Sequence, residues 1–252
     1  MLLLITNSSD GTGNLLVDKF QKDIFRFNYD LFNDYRFELK PDFWQITNPA
    51  GLTISSKTVT SCFWWKAFNA ELENQDNYVV QEVKYLFREL YNWCRLNKLV
   101  KGNSFEFHNQ YGKNTLLNIA EKYFKTPNTL ITLNFEGIEK FSNDRVVVKS
   151  LSSALTNNKA SLLTTEVDIK KLDSKFPWYI QEKITSDFDV TIFVCNSRIF
   201  AYERSRKNLK GLDWRGEQSF EPGVKEWFNL DLTNSEQNSI NEFCNDINVK
   251  WG

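Results

Sequence analysis

Histidine is almost absent from this chain of 252 residues, and the single one, His108, has no cysteine nearby and no matched carboxylate. A lone histidine is more often structural than catalytic, so we favour a structural role for it. The four cysteines, Cys62, Cys94, Cys195 and Cys244, form no CxxC pair and have no metal-ligand spacing. We therefore expect buried free thiols in a reducing cytosol.

The chain also lacks a large net charge and long apolar runs. The 31 basic and 32 acidic residues leave a net charge of -1, so no overall field would draw nucleic acid or an anionic membrane. No apolar stretch is long enough to span a bilayer, and the first residues lack the basic start of a signal peptide. These absences predict a cytoplasmic globular protein with neither a nucleic-acid partner nor a membrane partner.

The N-terminal part carries the signals of a small α/β domain. Leu2–Thr6 is a continuous apolar run, which is typical of a strand buried on both faces. The loop that follows contains only Gly11 and Gly13, so it is not the GxGxxG fingerprint of dinucleotide binding. A short helix over 15–20 and a second strand over 24–28 complete a β-loop-α-β opening. This order predicts a Rossmann-like domain.

Further elements follow from hydrophobic spacing and from turn residues. The pattern predicts a hairpin over 43–56, a long helix over 78–96 and a second helix over 111–124. It also predicts a second hairpin of strands over 189–194 and 198–203, with a turn in which Asn196 tolerates positive φ. Thr233-Asn-Ser-Glu236 is a capping box that predicts the start of a last helix. Aromatic residues reach 15%, and we assign most of them to core packing.

The stretch 177–194 is the centre of the candidate site. Apolar residues alternate at Trp178 and Ile180 and again along 190–194, beside the acceptors Gln181, Glu182 and Asp189. An apolar wall of this kind can hold a flat base while a carboxylate takes the ribose.

Two basic residues bracket that stretch. Lys149 ends an apolar strand upstream, and Arg215 follows Asp213 and Trp214 downstream. Lysine and arginine both bind phosphate oxygens through charge-assisted hydrogen bonds. The pattern therefore predicts a site for a nucleoside triphosphate.

The ordered set of these residues resembles the ATP-grasp ligases. The set consists of Lys149, Gln181-Glu182-Lys183-Ile184, Asp189 and Asp213-Trp214-Arg215. The branch it is most similar to is the peptide-modifying ligases of microviridin and graspetide biosynthesis, and the resemblance runs from Met1 to Gly252. It implies a mixed α/β ATP-grasp fold with a Rossmann-like domain over 1–110, a lid subdomain over 111–178 and a C-terminal subdomain over 179–252. An ATP cleft is expected between the last two.

The resemblance also implies roles for individual residues. Lys149 and Arg215 are expected to be catalytic. The expected ATP-binding residues are Lys113, Lys149, Gln181, Glu182, Lys183, Ile184 and Asp189. The family usually has an arginine where this chain has Thr191, and Arg204 and Arg206 are the candidate replacements. A serine-rich loop over 150–158 lacks the glycine that the family often uses near phosphate.

The function implied is an ATP-dependent ligase that joins a carboxylate to an amine or an alcohol through an acyl phosphate. ATP and Mg²⁺ are the expected cofactors, and a peptide or protein is the expected substrate. No metal ligand is assigned, because the family's Asp and Glu-x-Asn motif is not found before Gly252. Asp213 and Glu217 are carboxylates near the site in sequence, but they would be a poor substitute.

Three explanations of the missing motif are open: an omitted C-terminal segment, which we favour, completion by a partner chain, or nucleotide binding without turnover. We accordingly expect weak ATP binding and little turnover from the 252 residues alone. The alternative function is a nucleotide- or peptide-binding protein with an incomplete, inactive site. A homo-oligomer is left open.

Overall fold

The computed structural model describes residues 1–65, 72, 75–103, 111–134, 137–138, 141, 145–151, 163–207, 209, 211–213 and 226–252. The chain divides into two compact units, Met1–Glu106 and Phe107–Gly252. The boundaries predicted at 110 and at 178 stay a prediction. His108, Trp214, Arg215, Glu217 and most of the loop 150–158 lie outside the described residues.

Unit 1 combines a parallel sheet with a small antiparallel one. In chain order its elements are β1 (Leu2–Thr6), α1 (Gly11–Phe20), β2 (Ile24–Asn28), β3 (Arg36–Lys40), β4 (Phe43–Thr47), β5 (Thr53–Ser55), β6 (Ser61–Trp64), α2 (Asn77–Leu96) and β7 (Val100–Lys101). The parallel sheet has the order β2-β1-β6-β7, and the antiparallel sheet has the order β3-β4-β5. Strand β1 is buried on both faces, as its apolar run predicts.

Helix α1 begins four residues earlier than the sequence predicts. Asp10 caps it, because its carboxylate accepts a hydrogen bond of 2.9 Å from the backbone N–H of Gly13. A Cβ atom at Gly13 would lie 3.0 Å from that carboxylate and 3.3 Å from the guanidinium carbon of Arg26. The glycine therefore lets the helix begin close to both side chains.

The core of unit 1 is built from residues of α2, the parallel sheet and the antiparallel sheet. The buried face of α2 presents Val83, Phe87, Leu90 and Cys94 at helical spacing. The Phe87 ring packs against Phe27 at a centroid distance of 4.9 Å. These contacts confirm the predicted helix and its apolar face.

Unit 2 contains two antiparallel sheets and two helices among its described residues. In chain order the elements are α3 (Lys113–Ala120), β8 (Thr129–Thr132), β9 (Arg145–Lys149), β10 (Thr165–Asp168), β11 (Trp178–Gln181), β12 (Phe188–Cys195), β13 (Arg198–Ser205), β14 (Phe228–Asn229) and α4 (Asn234–Asp246). One sheet has the order β10-β9-β11-β8 and the other has the order β12-β13-β14. Short 3-10 turns in the chain cover Gln21–Asp23, Tyr29–Asp34 and Ile169–Lys171.

The hairpin of β12 and β13 turns at the residues that the sequence singles out. Asn196 and Ser197 both have positive φ, 47° and 66°. Such a pair matches the right-handed twist of the flanking strands, and asparagine tolerates it well. The register places Asp189 opposite Arg204.

Helix α4 has the predicted capping box. The Thr233 hydroxyl accepts a bond from the Glu236 backbone, and the Glu236 carboxylate accepts one from the Thr233 backbone at 2.8 Å. Ile240 and Cys244 on α4 pack against Val194 of β12. No helix among the described residues is both long and apolar enough to cross a membrane.

Candidate functional site

A cleft of about 420 Å³ lies within unit 2 and draws its lining from both antiparallel sheets. Its lining consists of Val147, Lys149, Thr164, Gln181, Glu182, Lys183, Ile184, Ser186, Phe188, Asp189, Val190, Arg206, Leu212 and Asp213. The volume falls in the range of small-molecule sites, about 300–1,000 Å³. We refer to this set as the cleft.

Strands β9 and β11 separate a core face from a cleft face. Val146, Val148 and Ile180 are buried together on the core face. The register pairs Gln181 with Val147, so both side chains lie on the opposite face, and Lys149 lies on that face two residues further along β9. Strand alternation therefore brings Lys149 and Gln181 to the same surface.

A hydrogen-bonded chain fixes Lys149 on that surface. Its ammonium donates to the Gln181 side-chain carbonyl at 2.7 Å, and the Gln181 amide donates to the Thr129 hydroxyl at 2.8 Å. Gln181 is only 5% exposed, so its amide has little freedom to turn. Burial raises the pKa of neighbouring Tyr179, although hydrogen bonds with Gln181 and Thr129 oppose the rise.

Lys183 forms part of an ion-pair network at the exit of β11. Its ammonium lies 2.7 Å from a Glu166 carboxylate oxygen, and the Arg145 guanidinium lies 2.7 Å from the other oxygen. The hydrogen bond from Lys183, together with the attraction of Arg145, holds the pKa of Glu166 below its usual value. The network anchors the segment after β11 to β10.

The residues after β11 leave the sheet within two positions. The Glu182 backbone N–H still donates to the Asn128 carbonyl at 2.8 Å, and its carboxylate accepts from the Asn128 N–H at 3.3 Å. In the part of the chain that the structure describes, the backbone groups of Lys183 and Ile184 make no hydrogen bond. Ile184 is 62% exposed. This segment can therefore offer backbone donors and acceptors to a ligand.

Asp189, near the start of β12, is held by Arg206. An Arg206 guanidinium nitrogen donates to Asp189 Oδ1 at 2.6 Å, and the other terminal nitrogen donates to the Leu212 carbonyl at 2.8 Å. Asp189 Oδ2 is shielded from solvent and has no hydrogen-bond partner among the described residues. The carboxylate is thus engaged through one oxygen only.

The segment after β13 contacts the residue that precedes β10. Asp213 is 9% exposed and accepts a hydrogen bond of 3.3 Å from the Thr164 backbone N–H. Arg204, the other candidate replacement for an arginine at position 191, does not line the cleft. It is buried and pairs with Glu226 at 3.0 Å. Of the two candidates, the structure brings Arg206 to the cleft.

The structure brings together Lys149, Gln181, Glu182, Lys183, Ile184 and Asp189 in one cleft. Lys113 lies in the first turn of α3, as expected, but its ammonium contacts the Ser150 carbonyl and does not line the cleft. Arg215 lies outside the described residues, so its catalytic role stays a prediction. The roles of the other residues also stay predictions.

The sequence reasoning missed Glu166 and Thr129 as supports of the cleft. Glu166 lies in a strand of four residues, Thr165–Asp168, whose apolar content is too small to predict a strand. Thr129 opens β8, and only the register of β8 with β11 places it opposite Gln181. No local signal in the sequence would have found either contact.

The described residues do not fit a magnesium site. They contain no group of three or more histidine, cysteine, aspartate or glutamate side chains placed to hold a metal ion. The cleft carboxylates Glu182, Asp189 and Asp213 are each engaged by a backbone N–H or a guanidinium. These carboxylates are therefore not arranged as ligands of a metal ion.

Comparison with known proteins gives structural relatives only. No protein-family model matches the sequence, and no curated protein is significantly similar to it. The structure is similar to a macrocyclase from Microcystis aeruginosa bound with its precursor peptide, with a TM-score of 0.76 and 19% identity over 100% of this chain and 85% of that chain. It is also similar to a RiPP-associated ATP-grasp ligase of Chryseobacterium gregarium, solved with ADP and with a leader and core peptide, with a TM-score of 0.73 and 21% identity over 100% and 83% of the two chains.

A more distant relative widens the comparison beyond peptide modification. D-alanine–D-alanine ligase from Bacillus anthracis has a TM-score of 0.55 and 12% identity over 99% of this chain and 80% of that chain. At such identities the likeness concerns the fold alone, since one fold can carry many functions. The chain has the mixed α/β ATP-grasp fold that the sequence predicts.

Proposed function

We propose that this chain is an ATP-dependent ligase that joins a carboxylate to an amine or a hydroxyl group in a peptide or protein. The observation that carries the proposal is the clustering of Lys149, Gln181–Ile184 and Asp189 in one cleft of an ATP-grasp fold. Lys149 lies 32 residues before Gln181 in the sequence, and each of these residues contributes a group that a nucleotide needs.

The cleft offers a place for each part of ATP. The apolar side chains of Val147, Ile184, Phe188 and Val190 form walls for a flat base. The open backbone groups after Glu182 can hydrogen-bond to the edge of the base. Asp189 supplies a carboxylate for the ribose.

The phosphates are assigned to the end of the cleft that carries Lys149. Its ammonium is a charged donor held by a buried amide, and charge-assisted hydrogen bonds to phosphate are the stronger class. The contact of Lys113 with the Ser150 carbonyl anchors the residue next to Lys149. Lys113 therefore supports the phosphate end of the cleft through the backbone.

Bound ATP would supply a phosphoryl group to the substrate carboxylate, giving an acyl phosphate and ADP, and the amine or hydroxyl then displaces phosphate. The contribution of this chain is to orient the nucleotide and to neutralise charge at Lys149. A peptide substrate is favoured because the macrocyclase and the RiPP-associated ligase were solved with peptides. A cytoplasmic setting fits the four cysteines, which are all free thiols.

The test has a binding arm and a turnover arm. Calorimetry with ADP measures binding. Turnover is measured as ADP and phosphate release in the presence of ATP, Mg²⁺ and a peptide that contains Asp or Glu together with Ser, Thr or Lys. From the 252 residues alone we expect little release, and this release should depend on the peptide and give a product that has lost one water per bond formed. The matched control peptide carries Asn or Gln in place of the acidic residues.

Each outcome of that test has a meaning. Release of ADP and phosphate with the acidic peptide, but not with the peptide that carries Asn or Gln, supports the proposed ligase activity. ADP binding without any release would favour the alternative, a nucleotide-binding protein without turnover. Failure to bind ADP would overturn the assignment of the cleft to a nucleotide.

A further inference from the structure

We propose that Arg206 gives the cleft its preference for ribonucleotides by positioning the Asp189 carboxylate. Arg206 is a positioning residue here, because it acts on the ligand through Asp189. The inference rests on the proposed function, since it requires a nucleotide in the cleft.

The first observation is the uneven engagement of the two carboxylate oxygens. Asp189 Oδ1 accepts a bond of 2.6 Å from Arg206, whereas Oδ2 is buried and has no partner among the described residues. A buried carboxylate oxygen without a donor is costly and uncommon in folded proteins. A ligand hydroxyl would supply the missing donor.

The second observation is that the Arg206 guanidinium is itself fixed. Its second terminal nitrogen donates to the Leu212 carbonyl at 2.8 Å, and its backbone N–H donates to the Asp187 carbonyl at 2.8 Å. The rigid planar fork of arginine therefore spans two segments that line the cleft. Lysine could not make both side-chain contacts with the same geometry.

Only one prong of the fork contacts Asp189, and Oδ2 keeps its capacity to accept a hydrogen bond. Because Asp189 lines the cleft, a sugar hydroxyl bound there is the donor that we assign to Oδ2. Ribose has two neighbouring hydroxyls, whereas deoxyribose lacks one, so this arrangement discriminates between the two sugars.

Charge supports the same arrangement. The positive charge of the Arg206 guanidinium compensates the negative charge of Asp189. The side chains of Arg206 and Asp189 are mostly buried, with exposed fractions of 20% and 24%. The ion pair therefore adds attraction to the hydrogen bond that holds the Asp189 carboxylate.

The experiment measures the affinities of ADP, 2′-deoxy-ADP, 3′-deoxy-ADP and 2′,3′-dideoxy-ADP by calorimetry. We expect the wild-type chain to bind ADP at least about tenfold more tightly than the dideoxy compound, as a charge-assisted hydrogen bond to a hydroxyl would give. In Arg206→Gln this ratio should fall close to one, while the affinity for the dideoxy compound changes by about twofold or less. Arg206→Lys should give an intermediate ratio.

Arg198→Gln serves as the matched control, because Arg198 begins β13, the strand that Arg206 follows, and is exposed outside the cleft. Thermal unfolding of each variant shows whether it is folded. If Arg206→Gln does not fold, the affinity ratio of Arg206→Lys is compared with that of wild type. The proposal would be overturned if the Arg206 variants kept the wild-type ratio of affinities for ADP and dideoxy-ADP. It would also be overturned if the affinities for all four ligands fell equally. Wild-type binding without a ribose preference would also overturn it and leave the nucleotide site standing, whereas no wild-type binding would overturn both.

Discussion

Lys149 is the residue on which the phosphate assignment depends. It ends β9, and strand alternation and the bond to Gln181 direct its ammonium to the cleft. We expect Lys149→Ala to weaken ADP binding by about 1.5–3 kcal/mol, because charge-assisted hydrogen bonds to phosphate are lost. Calorimetry with ADP measures the change.

A second lysine provides the control for that experiment. Lys175 is exposed and does not line the cleft, so Lys175→Ala should leave the affinity for ADP unchanged. Equal affinities of wild type and Lys149→Ala would show that the phosphates do not lie at the end of β9.

Single residues could be predicted where a strand end fixes their place. Lys149, Gln181 and Asp189 each lie at or next to the end of a predicted strand, and the structure places all three in one cleft. The choice between Arg204 and Arg206 could not be made from the sequence, because both lie at the exit of the hairpin, only two residues apart. It depends on the side-chain contacts with Asp189 and Glu226.

At the scale of elements, strong local signals gave the correct structure. The turn at Asn196 and the capping box of α4 are found where they were predicted, and α2 begins one residue before its predicted start. Strand β3 was missed, although its side chains alternate between exposed and half-buried. Its apolar positions are only Phe37 and Leu39, too few to decide between strand and loop.

Helix α3 shows a boundary that depends on tertiary contacts. The sequence predicts a helix over 111–124, whereas α3 ends at Ala120 and is followed by turns. The Tyr123 hydroxyl in this turn donates to the Asp246 carboxylate at the end of α4 at 2.6 Å. A contact more than one hundred residues away in sequence is not visible in local spacing.

That contact predicts a pH-dependent contribution to stability. Its hydrogen bond with Tyr123 lowers the pKa of Asp246 from its ordinary 3.8, and the same bond raises the pKa of Tyr123 from 10.0 to about 12. A lowered carboxyl pKa stabilises the fold above pH 3.8, and this contribution is lost as the pH falls through the folded value. A raised tyrosine pKa stabilises the fold below pH 10.0, and this contribution is lost as the pH rises towards 12.

We therefore expect Asp246→Asn to melt at a lower temperature than wild type at pH 7, with the difference shrinking towards pH 3. Circular dichroism during heating at several pH values measures it. A double-mutant cycle with Tyr123→Phe is the control, because the two changes should not add if they remove one contact. A difference that stays constant from pH 7 to pH 3 would contradict the assignment.

At the scale of the whole molecule, the ATP-grasp fold could be predicted from an ordered set of residues, although no single tripeptide would have been sufficient. The structural relatives are 12–21% identical to this chain in sequence. They have a similar fold, although most of their side chains differ. The function of the cleft does not follow from the fold in the same way. It depends on the side-chain contacts of unit 2.

The last prediction concerns the separate free energies of unfolding of the two units. The core around Phe87 is made from residues of unit 1, whereas Ile180 and every residue of the cleft belong to unit 2. A ligand stabilises only the part of a protein whose folded state it binds, by about 2.7 kcal/mol at a concentration one hundred times its Kd. ADP should therefore raise the unfolding temperature of unit 2.

Scanning calorimetry of two core variants with and without ADP tests this division. Phe87→Ala should destabilise unit 1 by about 3–5 kcal/mol, and Ile180→Ala should destabilise unit 2 by about 2–5 kcal/mol. Only the transition that is lowered by Ile180→Ala should move upward with ADP, because only unit 2 contains the cleft. Tyr85→Ala, at a position of α2 that is 59% exposed, is the control and should change stability by about 0.5 kcal/mol or less. A single transition that both core variants lower and ADP raises would show that the two cores unfold as one.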